Sequence, residues 1–244
     1  MYGFDPTWIA LMVFSVVLGF ITQGYIKSTY KKWSGVPLSS GLTGAQVAER
    51  VLASNGLAGS DATVTNTAGK HGVRIQPIGG SLTDNYDPRD KTLNLSEGVY
   101  ASSSVAAAGV AAHEAGHALQ DSTGYVWGRI RSFIVPAAAF GSQAGWILIF
   151  VGVLLGATSG LGRTVVVLGI VFYAFAVLFQ LVTLPVELDA SNRAMSSLEA
   201  TGTLSGEQLA GARQVLTAAA LTYVAAALIA LLQLLYLLGF LRRD

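Results

Sequence analysis

The stretch His113-Glu114-Ala115-Gly116-His117 places two imidazoles four positions apart with a carboxylate beside the first. On an α-helix residues i and i+4 share a face, so both rings can bind one Zn²⁺ while Glu114 stays available as a general base toward water. The chain has 3 histidines, and two of them fall in this stretch. A catalytic zinc takes three protein ligands and keeps one position open, so a further donor is required. Glu187 is the favoured candidate, because it begins a polar helical segment after a long apolar stretch and completes a His₂Glu set. Asp189 is the rival carboxylate; on a helix it points away from the Glu187 face, which Ser191 shares. His71, in the turn-like Gly69-Lys70-His71-Gly72, is a third possibility. Water attacking a peptide carbonyl generates an oxyanion, and Arg193, Tyr86 and His71 are the polar groups available to stabilise it.

Several elements must position these groups. Ser102, Ser103 and Ser104 offer N-caps to an alanine-rich run that costs little in a helix, and Asp121-Ser122-Thr123-Gly124 supplies a stop. The helix so predicted contains His113, Glu114 and His117. Residues 34–128 have the pattern of a small soluble α+β domain. It starts with a helix capped by Thr43, with Val47, Val51 and Leu52 on its apolar face and Gly56 at its end. Strand-like pieces follow at 62–65, 73–78 and 92–96, separated by turn residues. They predict a short sheet packed on the helix of His113, with 92–96 as an edge strand open to an extended substrate.

Hydrophobic residues make up 52% of the chain and charged residues 12%, against about a quarter charged in soluble domains, which identifies an integral membrane protein. Four apolar stretches, 8–26, 133–157, 164–184 and 218–241, are long enough to cross a bilayer as transmembrane helices. Lys27, Lys31 and Lys32 follow the first and place the N-terminus outside. With that orientation only Arg163, Arg242 and Arg243 of the 15 Lys and Arg residues lie outside. The helix of His113 and the 185–217 segment carrying Glu187 then share the cytoplasmic side, and Pro185 is expected to break the chain between span and segment. No basic tract points to nucleic acid, and 0 cysteines exclude disulfides, thiolate metal ligands and a cysteine nucleophile. Nothing in the sequence specifies an oligomeric state.

Four stretches carry a resemblance: Leu82-Thr83-Asp84-Asn85-Tyr86-Asp87-Pro88-Arg89, Leu93-Asn94-Leu95-Ser96, Ala111-Ala112-His113-Glu114-Ala115-Gly116-His117-Ala118-Leu119-Gln120 and Leu184-Pro185-Val186-Glu187-Leu188-Asp189-Ala190-Ser191. Together they resemble the YugP-type family of bacterial membrane zinc metallopeptidases, similar in plan to HtpX and the CAAX prenyl proteases. The resemblance implies a neutral zinc peptidase of the gluzincin kind in the bacterial cytoplasmic membrane. Those relatives carry His-Glu-x-x-His followed, after membrane helices, by Glu-x-x-Ala-Asp, whose Glu is the third ligand. That Glu matches Glu187 and the Ala matches Ala190, while Ser191 stands at the Asp position.

The function expected is therefore zinc-dependent endopeptidase cleavage of membrane or membrane-near polypeptides, with Glu114 as base and His113, His117 and Glu187 on the metal. Two other classes compete. A metal transporter would use the same ligands along a permeation path, and a non-catalytic scaffold would keep the zinc for structure alone. Glu114 discriminates, since only hydrolysis needs a base.

Overall fold

A computed structural model describes residues 6–59, 72–157 and 160–242. The strand expected at 62–65 and His71 lie outside the described residues. The elements run α1 (Pro6–Ser34), α2 (Gly44–Ser54), β1 (Arg74–Ile78), β2 (Asn85–Asp87), β3 (Thr92–Ser96), α3 (Glu97–Tyr100), α4 (Val105–Ser122), α5 (Val126–Leu154), α6 (Gly160–Ala200) and α7 (Gly206–Arg242). They divide into two compact units.

One unit holds the chain up to Gln23, Arg129–Pro185 and the chain from Leu221. Helices α1, α5, α6 and α7 are each long and apolar enough to cross a membrane. At ~1.5 Å rise per residue a ~30 Å hydrocarbon layer needs about 20 residues, and each of these helices has a surplus. Within this unit α5 and α6 cross closely through glycine: a Cβ on Gly145 would stand 2.9 Å from the Tyr173 nitrogen, and one on Gly169 2.8 Å from the Gly145 oxygen. Small residues at such crossings let backbones approach where lipid supplies no hydrophobic drive.

The break expected at Pro185 does not occur, because α6 runs unbroken through it for 41 residues. A proline removes one intrahelical bond, a loss that packing on either side of it can outweigh. Beyond Pro185 the helix is held by burial of Val186, Ala190, Ala194 and Leu198.

The other unit comprises Gly24–Gly128 and Val186–Ala220. Thr43 caps α2 reciprocally with Gln46, its side chain accepting from the Gln46 backbone while the Gln46 side chain accepts from the Thr43 N–H. The sheet has the order β1-β3-β2, with β1 parallel and β2 antiparallel to β3. Thr92–Ser96 is thus the central strand and not the expected edge. The reason is burial on both faces: Thr92, Leu93, Leu95 and Ser96 are all buried, as a strand flanked on both sides requires, whereas β1 and β2 are partly exposed. Leu93 and Leu95 share one apolar core with Val47, Val51 and the alanines of α4.

Helix α4 runs through the middle of this core. Ser104 caps it, accepting from the Ala107 N–H at 3.2 Å, and Gly124 leaves it in the left-handed region at φ 62°. Its small side chains bring neighbouring backbones near. A Cβ on Gly116 would stand 3.1 Å from the carbonyl carbon of Ala190 and closer still to its oxygen, so α4 and the last turns of α6 cross in direct backbone contact there.

Candidate metal centre

That crossing sets the site. On α4, His113 and His117 stand on one face with rings edge to face, their centroids 4.8 Å apart. On α6, Glu187 precedes Ala190 by one turn and is almost wholly buried. Its Oε2 lies 3.2 Å from His113 Nε2 and 3.6 Å from His117 Nε2. One ligand atom from each of the three residues falls within 4.8 Å of the others.

The donor set fits zinc. With Zn–N and Zn–O lengths near 2.0–2.1 Å, tetrahedral ligand atoms are separated by roughly 3.3 Å, which matches both Glu187 distances. The ring nitrogens facing away from that point are engaged elsewhere: His113 Nδ1 meets Ser191 Oγ at 3.1 Å and His117 Nδ1 meets Gln120 Oε1 at 3.0 Å. Such outer partners are what a ligating imidazole needs to hold its orientation. Among the described residues these three form the one group of His and carboxylates able to hold a metal ion.

Electrostatics support the same grouping. Burial works against charge on Glu187, yet hydrogen bonds from His113 and His117 outweigh it and hold the carboxyl well below the usual carboxylate range. Burial likewise opposes charge on His117, but the Glu187 hydrogen bond and the Glu114 and Glu187 carboxylates raise its pKa above the ordinary imidazole value. Glu114, half-buried on α4, is pushed up chiefly by burial, with the two histidines pulling the other way.

The remaining candidates take other places. Asp189 is not in the cluster; its Oδ2 accepts from Gln120 Nε2 at 2.9 Å and from Arg193 Nε at 2.6 Å. Arg193 also donates to Thr123 Oγ1 at 3.4 Å and lies over the Tyr125 ring. The Tyr86 hydroxyl donates to Asp121 Oδ2 at 2.7 Å, an oxygen that also meets Lys91 Nζ at 2.6 Å. Arg193 and Tyr86 therefore each serve a carboxylate. Gln120, three residues after His117 and on the same helix face, joins the site through its contact with His117, a role the sequence pattern alone does not assign.

The comparisons with known proteins agree with this geometry. The model of a family described as "Putative neutral zinc metallopeptidase" matches residues 8–242. A protein of Bacillus subtilis (strain 168), described as "Putative membrane protease YugP", is 41% identical over 228 residues, covering 93% of this chain and 93% of the relative. No solved structure matches the chain. With its four apolar helices, the chain is a membrane protein and belongs to this YugP-type neutral zinc metallopeptidase family.

Proposed function

We propose that the chain is a zinc-dependent endopeptidase that hydrolyses membrane or membrane-near polypeptides at the cytoplasmic face of a bacterial membrane. The observation that carries this is the convergence of His113 Nε2, His117 Nε2 and Glu187 Oε2 beside Glu114. Helices α1, α5, α6 and α7 would cross the bilayer, and the unit containing the sheet and α4 would be the peptidase domain. Lys27, Lys31 and Lys32 after the first span support the cytoplasmic orientation.

His113, His117 and Glu187 would hold the zinc and leave a fourth position open. Bound there, zinc supplies Lewis acidity toward the substrate carbonyl and toward water. Glu114 would accept the proton of the attacking water on a carboxylate oxygen and return it to the departing amide nitrogen, so that the amine leaves neutral. No covalent intermediate with the protein is required. Arg193, Tyr86 and His71 remain the candidates for stabilising the oxyanion.

Metal removal tests the proposal. Detergent-purified protein is expected to contain near-stoichiometric zinc and to cleave a membrane-anchored polypeptide, to lose cleavage on chelation, and to regain it on zinc addition. Retention of cleavage by metal-free protein would rule the proposal out.

A pH dependence follows from the His117 shift. Protons and zinc compete for the same groups, and in the metal-free chain His117 keeps its proton to higher pH than the free residue. Apparent zinc affinity is therefore expected to weaken as pH falls from about 8 to 5.5, starting above the ordinary histidine value of about 6.5. For metal-free stability the sign is opposite. The raised pKa contributes stability fully present below the unfolded value and lost as pH rises through the folded one. Chelator competition and thermal unfolding across this range measure the two effects separately.

A further inference from the structure

The outer partners of the two histidines differ in kind. Ser191, beside His113, is a hydroxyl that can donate or accept, so it leaves the His113 tautomer undetermined. Gln120 does not leave that freedom at His117. Its Nε2 lies 2.7 Å from the Val186 carbonyl oxygen and 2.9 Å from Asp189 Oδ2. Both partners accept only, so the amide must present its nitrogen to them and its oxygen to His117. That oxygen is 3.0 Å from His117 Nδ1, and an oxygen cannot donate. His117 must then carry its proton on Nδ1, which leaves the Nε2 lone pair aimed at Glu187 and the metal position.

Two further facts make this an arrangement that cannot easily turn over. Gln120 is 4% exposed, so water does not offer its amide alternative partners. Asp189, the acceptor that orients the amide, is fixed in turn by Arg193 Nε at 2.6 Å. Val186 and Asp189 also bracket Glu187 on α6, so the same amide that sets the His117 tautomer grips the helical turn bearing the third ligand.

We propose that Gln120 is a positioning residue that locks His117 in the Nδ1–H tautomer and couples that ligand to the Glu187 turn through Val186 and Asp189. This rests on the metal centre of His113, His117 and Glu187. The role is distinct from packing, because it depends on which end of the side chain donates. Gln120→Met keeps the length and loses both hydrogen-bonding ends. Gln120→Glu keeps an acceptor for His117 but sets two carboxylates against each other. Adding Asp189→Asn to Gln120→Glu restores a donor at 189, whose oxygen still accepts from Arg193.

The test is zinc affinity of the full-length protein in detergent, by competition with a chromophoric chelator, alongside thermal unfolding of each metal-free form. Gln120→Met is expected to weaken zinc binding about 10–100-fold, the range for loss of a histidine's outer partner. Gln120→Glu is expected to weaken it as well, and Gln120→Glu/Asp189→Asn to recover part of the loss, because the Val186 carbonyl still lacks its donor. Affinity in Gln120→Met equal to wild type would overturn the proposal. If that variant does not fold, the other two decide: recovery by Asp189→Asn supports the relay, and no recovery overturns it. Absence of zinc from the wild type would overturn both this inference and the metal centre it rests on, whereas zinc bound equally by wild type and variants overturns this inference alone.

Discussion

Glu114→Gln is expected to leave zinc bound and to reduce peptide cleavage by roughly 10²–10⁴-fold, the usual contribution of a positioned acid–base group. The substitution is nearly isosteric, so it opens no cavity in α4, and His113, His117 and Glu187 keep their arrangement. Only the proton acceptor is lost. In the metal-free chain burial raises the Glu114 pKa, with the two histidines pulling the other way. A base must be deprotonated to work, so wild-type cleavage is expected to fall on the acid side as Glu114 protonates. Metal content and cleavage of one membrane-anchored polypeptide, measured side by side, make the comparison. Unchanged cleavage in Glu114→Gln would remove Glu114 from the mechanism. Zinc bound by both proteins, with transport unaffected and cleavage by neither, would favour the transporter or scaffold.

The parts of the site that were legible in the sequence are those governed by local helical geometry. His113 and His117 come together because four residues make about one turn, and Ser191 joins Glu187 for the same reason. Glu187 could be singled out because few carboxylates stand at the end of an apolar stretch. What was not legible depends on distant partners. The central place of Thr92–Ser96 follows from parallel pairing with Arg74–Ile78, in which Arg74 faces Thr92 across a long intervening stretch. The local alternation is the same for an edge or a central strand, and burial on both faces distinguishes them only once the fold is known. Pro185 has the local signature of a break, and it is overruled by the packing of Val186, Ala190 and Ala194 after it. Gln120 acquires its role from Val186 and Asp189, which lie 66 and 69 positions away.

Glycine shows the same limit, and it leads to the second large effect. Gly98, Gly109 and Gly116 each offer a place where a backbone could approach, yet their surroundings differ. A Cβ on Gly98 would meet nothing within 4 Å, and one on Gly109 would meet Ala212 Cβ at 3.5 Å, an ordinary contact. One on Gly116 would run into the Ala190 carbonyl, with the carbonyl carbon at 3.1 Å and Cα at 3.2 Å. These are backbone atoms of a helix at the fully buried Ala190, so they cannot swing aside as a side chain would. Ala190 lies between Glu187 and Ser191, so relief of the clash moves α6 off α4 and carries Glu187 away from both histidines. Gly116→Ala is therefore expected to cost about 1–3 kcal/mol of stability by overpacking, despite the ~1 kcal/mol gain in helix propensity. Zinc affinity is expected to fall at least tenfold, since displacement of about 1 Å already takes Glu187 outside a normal coordination length. Gly109→Ala is the control, expected to bind zinc as wild type does and to be neutral or slightly stabilised. Thermal unfolding of the metal-free forms and chelator competition separate the two contributions. Equal losses in both variants would show that glycine in α4 serves the helix generally, and loss confined to Gly116→Ala would place the requirement at the crossing that assembles the metal centre.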